Sequence, residues 1–255
     1  MVFKAPMNFL LLFFFILSTC FAGKLVLIGG GARPREAMQR FVQLSGSQQS
    51  RILVVPWASG SLEGAANIRA ELAAFTRAPI AVAPLTPQSP AQVLGLINSA
   101  TGIFFAGGDQ SKLMKTIESL RLADLLRQKF NQGIAFGGTS AGTAFMSQRM
   151  ITGTGDLRVI NGAKVELGRG LGLLPPHIIV DQHFIVRGRF NRLAGIVLHT
   201  NLVGVGIDEG TALVVLDNRA QVIGPTQVLL FKASSTKKLI VRVLVNQEIF
   251  DLSIR

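Results

Sequence analysis

From Lys24 onward, short aliphatic runs alternate with longer segments in which apolar residues recur every three or four positions. Runs of the first kind are typical of buried parallel strands, and segments of the second kind are typical of helices that cover a sheet. The predicted strands are Lys24–Ile28, Arg51–Val55, Ile80–Ala83, Gly102–Ala106 and Ile134–Phe136. The predicted helices are Pro34–Leu44, Leu62–Phe75, Pro90–Ser99, Ser111–Leu120 and Leu122–Phe130. This alternation predicts a single three-layer α/β domain, with a mostly parallel sheet and helices on both faces.

After Met150 the pattern changes to a succession of strand-like segments. The apolar runs are short, and turn-forming residues separate most of them. The predicted strands are Ile178–Gln182, Val205–Asp208, Ala212–Leu216, Val228–Phe231 and Leu239–Val245. We expect these strands to extend the same sheet in the antiparallel sense.

The first 22 residues follow neither pattern. Lys4 supplies the only charged side chain before an unbroken apolar run, Phe9–Leu17, and Ala22 offers a small side chain to a signal peptidase. The run is about half of the roughly 20 residues that a membrane-spanning helix needs. The pattern predicts a signal peptide over residues 1–22 and an exported domain over residues 23–255, periplasmic or extracellular, without a stable membrane span after cleavage.

Cys20, the only cysteine of the chain, lies inside this leader. Lipid attachment to Cys20, or retention of the leader as a membrane anchor, is the alternative to its complete removal. Once the leader is removed, no disulfide, thiol nucleophile or cysteine metal ligand remains, so the composition excludes a thiol hydrolase. We predict neither a metal nor another cofactor.

The chain is strongly basic, with a formal net charge of +12 that falls by one to +11 when Lys4 leaves with the leader. A basic domain suits anionic surfaces or anionic substrates. The Lys and Arg residues are spread along the chain, and none of the DNA- or RNA-binding sequence signatures is present. We therefore expect no nucleic-acid partner, and a homodimer is compatible with the sequence.

The segment with the strongest catalytic signature is Gly138–Gly142, with the sequence GTSAG. It matches G-x-S-x-G and lies between a predicted buried strand and the helical stretch Thr143–Ser147. In a nucleophile elbow the serine occupies a sharp strand-to-helix turn, which needs small neighbours on both sides. The pattern predicts Ser140 as a nucleophile whose oxyanion is met by the Ala141 N–H. The alternative is a glycine-rich turn in which Ser140 only caps a helix.

A serine nucleophile needs a base, and the chain offers three histidines. His183 follows a predicted aliphatic strand, so its side chain can project from the carboxyl end of the sheet into a crevice. His177 follows two prolines, and His199 lies among apolar residues near a helix end. Such positions are typical of structural histidines, and we predict His183 as the general base.

A carboxylate is needed to orient the imidazole and to stabilise its protonated form. Asp208 and Glu209 end a predicted strand side by side, and in a strand they face opposite ways, so only one of them can reach His183. Asp181 is a third candidate, although its closeness in sequence to His183 suits it better to organising that loop. The residues themselves leave this choice open.

Two other glycine clusters end predicted strands. Gly29–Gly31 suggests a dinucleotide loop, but the G-x-G-x-x-G pattern would need glycine where Pro34 stands, so we reject that function. Gly107 and Gly108 end the strand that is expected beside the nucleophile. The backbone N–H of Gly108 is therefore our candidate for the second oxyanion donor.

Together, four separated motifs resemble those of the cyanophycinases, which are serine peptidases related to dipeptidase E. The motifs are GGDQ at Gly107–Gln110, GTSAG around Ser140, DQHF at Asp181–Phe184 followed by RGRFNRL, and IDEGTAL at Ile207–Leu213. The similarity runs in order over nearly all of the chain after the leader. Two positions depart from the family pattern: Thr143 replaces the usual small residue after SAG, and Val186 stands where a polar residue commonly precedes the first arginine.

The resemblance implies a class I glutamine amidotransferase-like fold and a triad of Ser140, His183 and Glu209, with Glu209 preferred to Asp208. It also implies a substrate site lined by Gln110, Asp181, Gln182, Arg187 and Arg192. The spacing of Arg187, Arg189 and Arg192 puts at least two guanidinium groups on one helical side, where they could pair with substrate carboxylates.

The reaction that the resemblance implies is hydrolysis of cyanophycin, a poly-aspartate with an arginine on each side-chain carboxyl, to β-Asp-Arg dipeptides. A broader exopeptidase or dipeptidase that acts on Asp-containing peptides is the alternative within the hydrolases. A catalytically inactive binding protein on the same scaffold is the alternative from another class, and reaction with a fluorophosphonate would distinguish the enzyme from the binder.

Overall fold

The computed structural model describes residues 23–254. Its first half alternates strands and helices as the hydrophobic pattern predicts, and each predicted element is present with its ends shifted by at most a few residues. The strands are β1 (Lys24–Ile28), β2 (Ile52–Val55), β3 (Ile80–Val82), β4 (Gly102–Phe105) and β5 (Ala135–Thr139). The helices are α1 (Arg35–Leu44), α2 (Glu63–Ala73), α3 (Ala91–Ser99), α4 (Gln110–Ser119) and α5 (Ala123–Asn131).

The second half is rich in strands but also contains two helices. The helices are α6 (Ala141–Ala144) and α7 (Phe190–Thr200). The strands are β6 (Arg149–Ile151), β7 (Leu167–Arg169), β8 (Ile178–Gln182), β9 (Val203–Ile207), β10 (Ala212–Leu216), β11 (Arg219–Ile223), β12 (Val228–Ser235), β13 (Lys238–Leu244) and β14 (Ile249–Asp251).

The main sheet has eight strands in the order β14-β11-β10-β1-β5-β4-β2-β3. The five strands of the first half are parallel, and β10, β11 and β14 add to them in the antiparallel sense. Side chains alternate along β1, so that Leu25 and Leu27 pack with α3, α4 and α5 on one face. Val26 and Ile28 pack with α1 and α2 on the other face. Both faces of the sheet are therefore buried, as the sequence predicts.

The expectation that the later predicted strands extend the main sheet is correct for β10. It is wrong for β8, β9, β12 and β13. A second sheet has the order β13-β12-β9-β8, and its β8 and β9 are parallel. In β9, Val205 and Ile207 face the core beneath the main sheet. A Cβ at Gly204 or Gly206 would overlap the side chains of α7 or of Phe184. Gly204 therefore makes room for α7 and Gly206 for Phe184, which cover the face of the second sheet opposite the shared core.

In the part of the chain that the structure describes, no helix is long and apolar enough to cross a membrane. The predicted leader, residues 1–22, lies outside the described residues.

Candidate active site

Ser140 stands at a sharp turn between β5 and α6. Its backbone has φ 55° and ψ −116°, a conformation that non-glycine residues rarely adopt. A Cβ at Gly138 would lie 2.0 Å from the carbonyl oxygen of Gly142, and a Cβ at Gly142 would lie 2.2 Å from that of Phe105. The GTSAG segment therefore has the geometry of a nucleophile elbow, in which the glycines make room for the bend.

Hydrogen bonds to carbonyl oxygens of β1 and β5 stabilise the strained turn at Ser140. The Ser140 N–H donates to the Ile28 carbonyl oxygen of β1 at 3.0 Å. The buried Thr143 hydroxyl lies 2.8 Å from the carbonyl oxygens of both Ile28 and Gly138. Thr143, which departs from the family pattern, therefore ties the helix that follows the serine to the two central strands.

The structure brings Ser140, His183 and Glu209 together. Ser140 Oγ lies 2.7 Å from His183 Nε2, and His183 Nδ1 contacts a carboxylate oxygen of Glu209. Since an ionised carboxylate only accepts hydrogen bonds, Glu209 favours the tautomer with hydrogen on Nδ1. The Nε2 lone pair is then free to accept the Ser140 hydroxyl proton. The arrangement has the connectivity of a nucleophile, a base and an orienting acid.

This arrangement follows from the parallel pairing of β8 and β9. His183 follows β8 and Glu209 begins the turn after β9, so both side chains leave the same edge of the second sheet. His183 also has a positive φ of 49°, and its N–H donates to the Gly29 carbonyl oxygen at 2.7 Å. The sharp turn at Ser140 was expected from the GTSAG segment, whereas the positive φ of His183 could not be predicted from the sequence.

Burial lowers the pKa of His183 below its ordinary value, although the hydrogen bond that His183 donates to Glu209 acts in the opposite direction. The positive charge of Arg187 lowers the pKa further. A lowered pKa keeps the imidazole neutral at neutral pH, which is the protonation state that a general base requires.

The Gly29–Gly31 turn lies directly against the side chains of His183 and Glu209, a role that the sequence analysis missed. Gly30 has φ +114°, and a Cβ there would lie 2.3 Å from Cε1 and 2.5 Å from Nε2 of His183. A Cβ at Gly31 would lie 2.7 Å from a carboxylate oxygen of Glu209. The absence of side chains on this turn makes the space that the imidazole and the carboxylate occupy.

Gly30→Ala is expected to lower kcat by at least about 10²-fold, because the imidazole must move by roughly an ångström and misplacement on that scale costs about that factor. The change can be followed as steady-state hydrolysis of a peptide substrate. Gly64→Ala is the matched control, since a Cβ at that helical glycine meets nothing within 4 Å. Equal rates in the two variants would contradict the role of the turn.

Two backbone N–H groups near Ser140 in the chain or in the fold are candidates for stabilising an oxyanion. Ala141 begins α6 directly after the serine, and the glycines that follow β4 lie beside it, with a Cβ at Gly107 only 3.4 Å from Ser140 Cβ. Within residues 23–254, the N–H groups of Ala141 and Gly108 donate to no other group. They remain our candidates for the two oxyanion donors.

The structure buries three of the residues that were expected to line the substrate site, Asp181, Gln182 and Arg192. Asp181 is 1% exposed and Arg192 is 5% exposed, and the guanidinium binds the carboxylate through two N–H groups. A direct contact between Arg192 and a substrate carboxylate would have to compete with this buried ion pair. Asp181 and Arg192 thus form a buried support close in sequence to His183, and their direct contact with substrate stays a prediction.

Arg189 belongs to the same support. Its Nη1 donates to the main-chain oxygen of Gln182 at 2.6 Å and to Gln182 Oε1 at 2.7 Å. Burial lowers the pKa of Arg189 to about 10. Arg187, by contrast, is exposed. Of the three arginines in this segment, Arg187 alone combines exposure with closeness to His183.

The structure also places the two glutamines that were expected to bind substrate and the two other histidines. Gln110 begins α4 and its amide donates to the Ile151 carbonyl oxygen at 2.6 Å, while Gln182 is buried against Arg189. His177 Nε2 lies 2.9 Å from the Leu252 carbonyl oxygen, and His199 is exposed on α7. No group of three or more His, Cys, Asp or Glu side chains that could hold a metal ion occurs among residues 23–254.

Comparison with known proteins gives consistent matches. The family model described as Peptidase family S51 matches residues 25–223. A cyanophycinase from Trichormus variabilis is 33% identical over 214 residues, which are 80% of this chain and 72% of that protein. A probable alpha-aspartyl dipeptidase from Drosophila melanogaster is 30% identical over 145 residues, which are 54% of this chain and 59% of that protein.

The fold is also similar to solved structures. The crystal structure of a peptidase from an acI-B1 Actinobacterium aligns with a TM-score of 0.69 and 21% identity, covering 90% of this chain and 97% of that chain. The class I glutamine amidotransferase-like architecture implied by the motifs is confirmed.

Proposed function

Because this chain belongs to peptidase family S51 and is a serine-type peptidase, we propose that it is an exopeptidase that hydrolyses cyanophycin to β-Asp-Arg dipeptides. The observation that carries the proposal is the contact of Ser140 with His183 and of His183 with Glu209. Similarity to cyanophycinases over 80% of the chain supports the choice of substrate.

In the proposed reaction, His183 Nε2 takes the proton of the Ser140 hydroxyl as Oγ bonds to the peptide carbonyl carbon. The carbonyl oxygen becomes an oxyanion, which receives hydrogen bonds from the Ala141 and Gly108 N–H groups. The C–N bond then breaks, and the leaving amine takes the proton from His183. Water repeats these steps on the ester, which releases the acid product and restores Ser140.

The decisive experiment is incubation of purified protein beginning at Gly23 with cyanophycin, followed by identification of the soluble products. We expect β-Asp-Arg dipeptides from the wild type and none from Ser140→Ala. A wild type that leaves cyanophycin intact but cleaves short aspartyl peptides would contradict the proposed substrate.

That second outcome corresponds to the other candidate, a dipeptidase for Asp-containing peptides. The similarity to the probable alpha-aspartyl dipeptidase favours it, although that match covers 54% of this chain. The ratio of kcat/KM for cyanophycin to that for Asp-X dipeptides separates the two candidates.

Arg187→Lys is expected to lower kcat/KM on β-Asp-Arg substrates by at least about tenfold, or ~1.4 kcal/mol. Arg187 is exposed close enough to His183 to affect its pKa, and lysine cannot reproduce the two parallel hydrogen bonds that a guanidinium makes to a carboxylate. Arg158→Lys is the control, since that side chain is 87% exposed. Unchanged turnover in Arg187→Lys would assign Arg187 to a solvated surface.

We also propose that residues 1–22 are removed during export and that residues 23–255 are one peptidase domain. The short apolar leader with Lys4 and Ala22 supports this. Mature protein isolated from its native host should begin at Gly23, and an intact Met1 on soluble cytoplasmic protein would refute export.

A further inference from the structure

The two acids that follow β9 point in different directions. Glu209 contacts the imidazole of His183. Asp208 is 5% exposed, and its Oδ1 accepts the backbone N–H of Ile185 at 3.0 Å and that of Val186 at 3.2 Å. Asp208 therefore holds the loop that follows the base.

This loop has few other anchors on its outer side. Phe184 is fully buried, but Ile185 is 42% exposed and Val186 is 64% exposed, so side-chain packing contributes little there. Hydrogen bonds to a charged acceptor are among the stronger ones in proteins. The Asp208 carboxylate is thus a main attachment of the loop beyond Phe184.

His183 needs such an attachment because its backbone conformation is unfavourable. A non-glycine residue with φ 49° is strained and persists only where the surrounding structure holds it. On its N-terminal side, the His183 N–H is bound by the Gly29 carbonyl oxygen at 2.7 Å. On its C-terminal side, the Arg187 N–H donates back to the His183 carbonyl oxygen at 3.0 Å, closing the turn that Asp208 binds.

We propose that Asp208 is a positioning residue for the general base: it fixes the turn after His183 while its neighbour Glu209 orients the ring. Because Asp208 and Glu209 are consecutive, the end of β9 fixes both the backbone conformation and the imidazole orientation of His183. This inference rests on the proposed function of Ser140 and His183 as nucleophile and base.

The test measures reaction of the purified protein with a small fluorophosphonate, in which Ser140 Oγ bonds to phosphorus, fluoride leaves and the hydroxyl proton passes to His183. Asp208→Ala should lower the maximal inactivation rate by about 10²-fold, because a base displaced by roughly 1 Å loses about that factor. The fluorophosphonate concentration that gives half of the maximal rate should change little. Asp208→Asn keeps an acceptor oxygen and should stay within about tenfold of the wild type. Asp124→Ala is the control, because that side chain is 96% exposed.

A wild-type rate in Asp208→Ala would overturn the inference. So would a loss in Asp208→Asn as large as that in Asp208→Ala, because the hydrogen bonds that the asparagine oxygen can still accept would then not position the base. If Asp208→Ala does not fold, amide exchange in Asp208→Asn decides: the Ile185 and Val186 amides should exchange faster than in the wild type, and unchanged exchange would refute the attachment. A wild type that the probe does not label would instead contradict the proposed function itself.

Discussion

Replacing Ser140 or His183 by alanine is expected to lower kcat for peptide hydrolysis by about 10⁴- to 10⁶-fold, the range typical of members of an interdependent triad. The two side chains are 2.7 Å apart, so that either change removes the same proton transfer. The double variant should therefore be hardly slower than either single variant. Steady-state hydrolysis, with circular dichroism to verify folding, measures the effect.

His199→Ala is the control for this comparison, because His199 is exposed on α7 and takes part in neither of the triad contacts. Its rate should match the wild type. Retention of more than about one hundredth of wild-type turnover in Ser140→Ala would show that another group is the nucleophile, since the triad requires a far larger loss.

Replacing Glu209 by glutamine is expected to lower kcat by about 10³-fold, less than the loss of Ser140 or His183. The imidazole can stay near its position, but a glutamine amide no longer favours hydrogen on Nδ1 and no longer stabilises imidazolium. Steady-state kinetics on the same substrate measure the loss. If Asp208→Asn were the more damaging change and Glu209→Gln nearly silent, Asp208 would be the acid.

The pH dependence of kcat/KM gives an independent measurement of the same pair, since it reports the pKa of the free enzyme's base. Burial lowers the pKa of His183 below the ordinary value of 6.5, so the acidic limb of the wild-type profile should lie below pH 6.5. Glu209 raises this pKa, and Glu209→Gln should therefore move the limb to lower pH. A limb that stays in place would mean that Glu209 does not interact with the base.

Much of the fold could be predicted because buried strands and amphipathic helices leave regular patterns. The predicted strands, from Lys24–Ile28 to Leu239–Val245, follow from this regularity, whereas β6, β7, β11 and β14 were not predicted. The division into two sheets could not be predicted, because it depends on which face of β9 carries no side chains. Gly204 and Gly206 carry no hydrophobic signal, yet the missing side chains make room for α7 at Gly204 and for Phe184 at Gly206.

The candidate site was predictable only in part, for related reasons. Strand ends and residue types singled out Ser140 and His183, but spacing alone left Asp208 and Glu209 equivalent. The Gly29–Gly31 turn was missed because its contribution is the space that it leaves for other side chains. The burial of Arg192 was missed as well, since arginine is rarely buried unless a partner such as Asp181 is brought to it by the fold.

The candidate triad draws its members from both sheets: Ser140 follows a strand of the main sheet, whereas His183 and Glu209 follow strands of the second. A slip of one sheet against the other by about an ångström would disrupt proton transfer while leaving every strand intact. Heat or denaturant should thus abolish turnover before either sheet melts, because local openings need less free energy than global unfolding. Loss of catalytic activity would then show that the two sheets no longer pack together correctly, even while their strands remain folded.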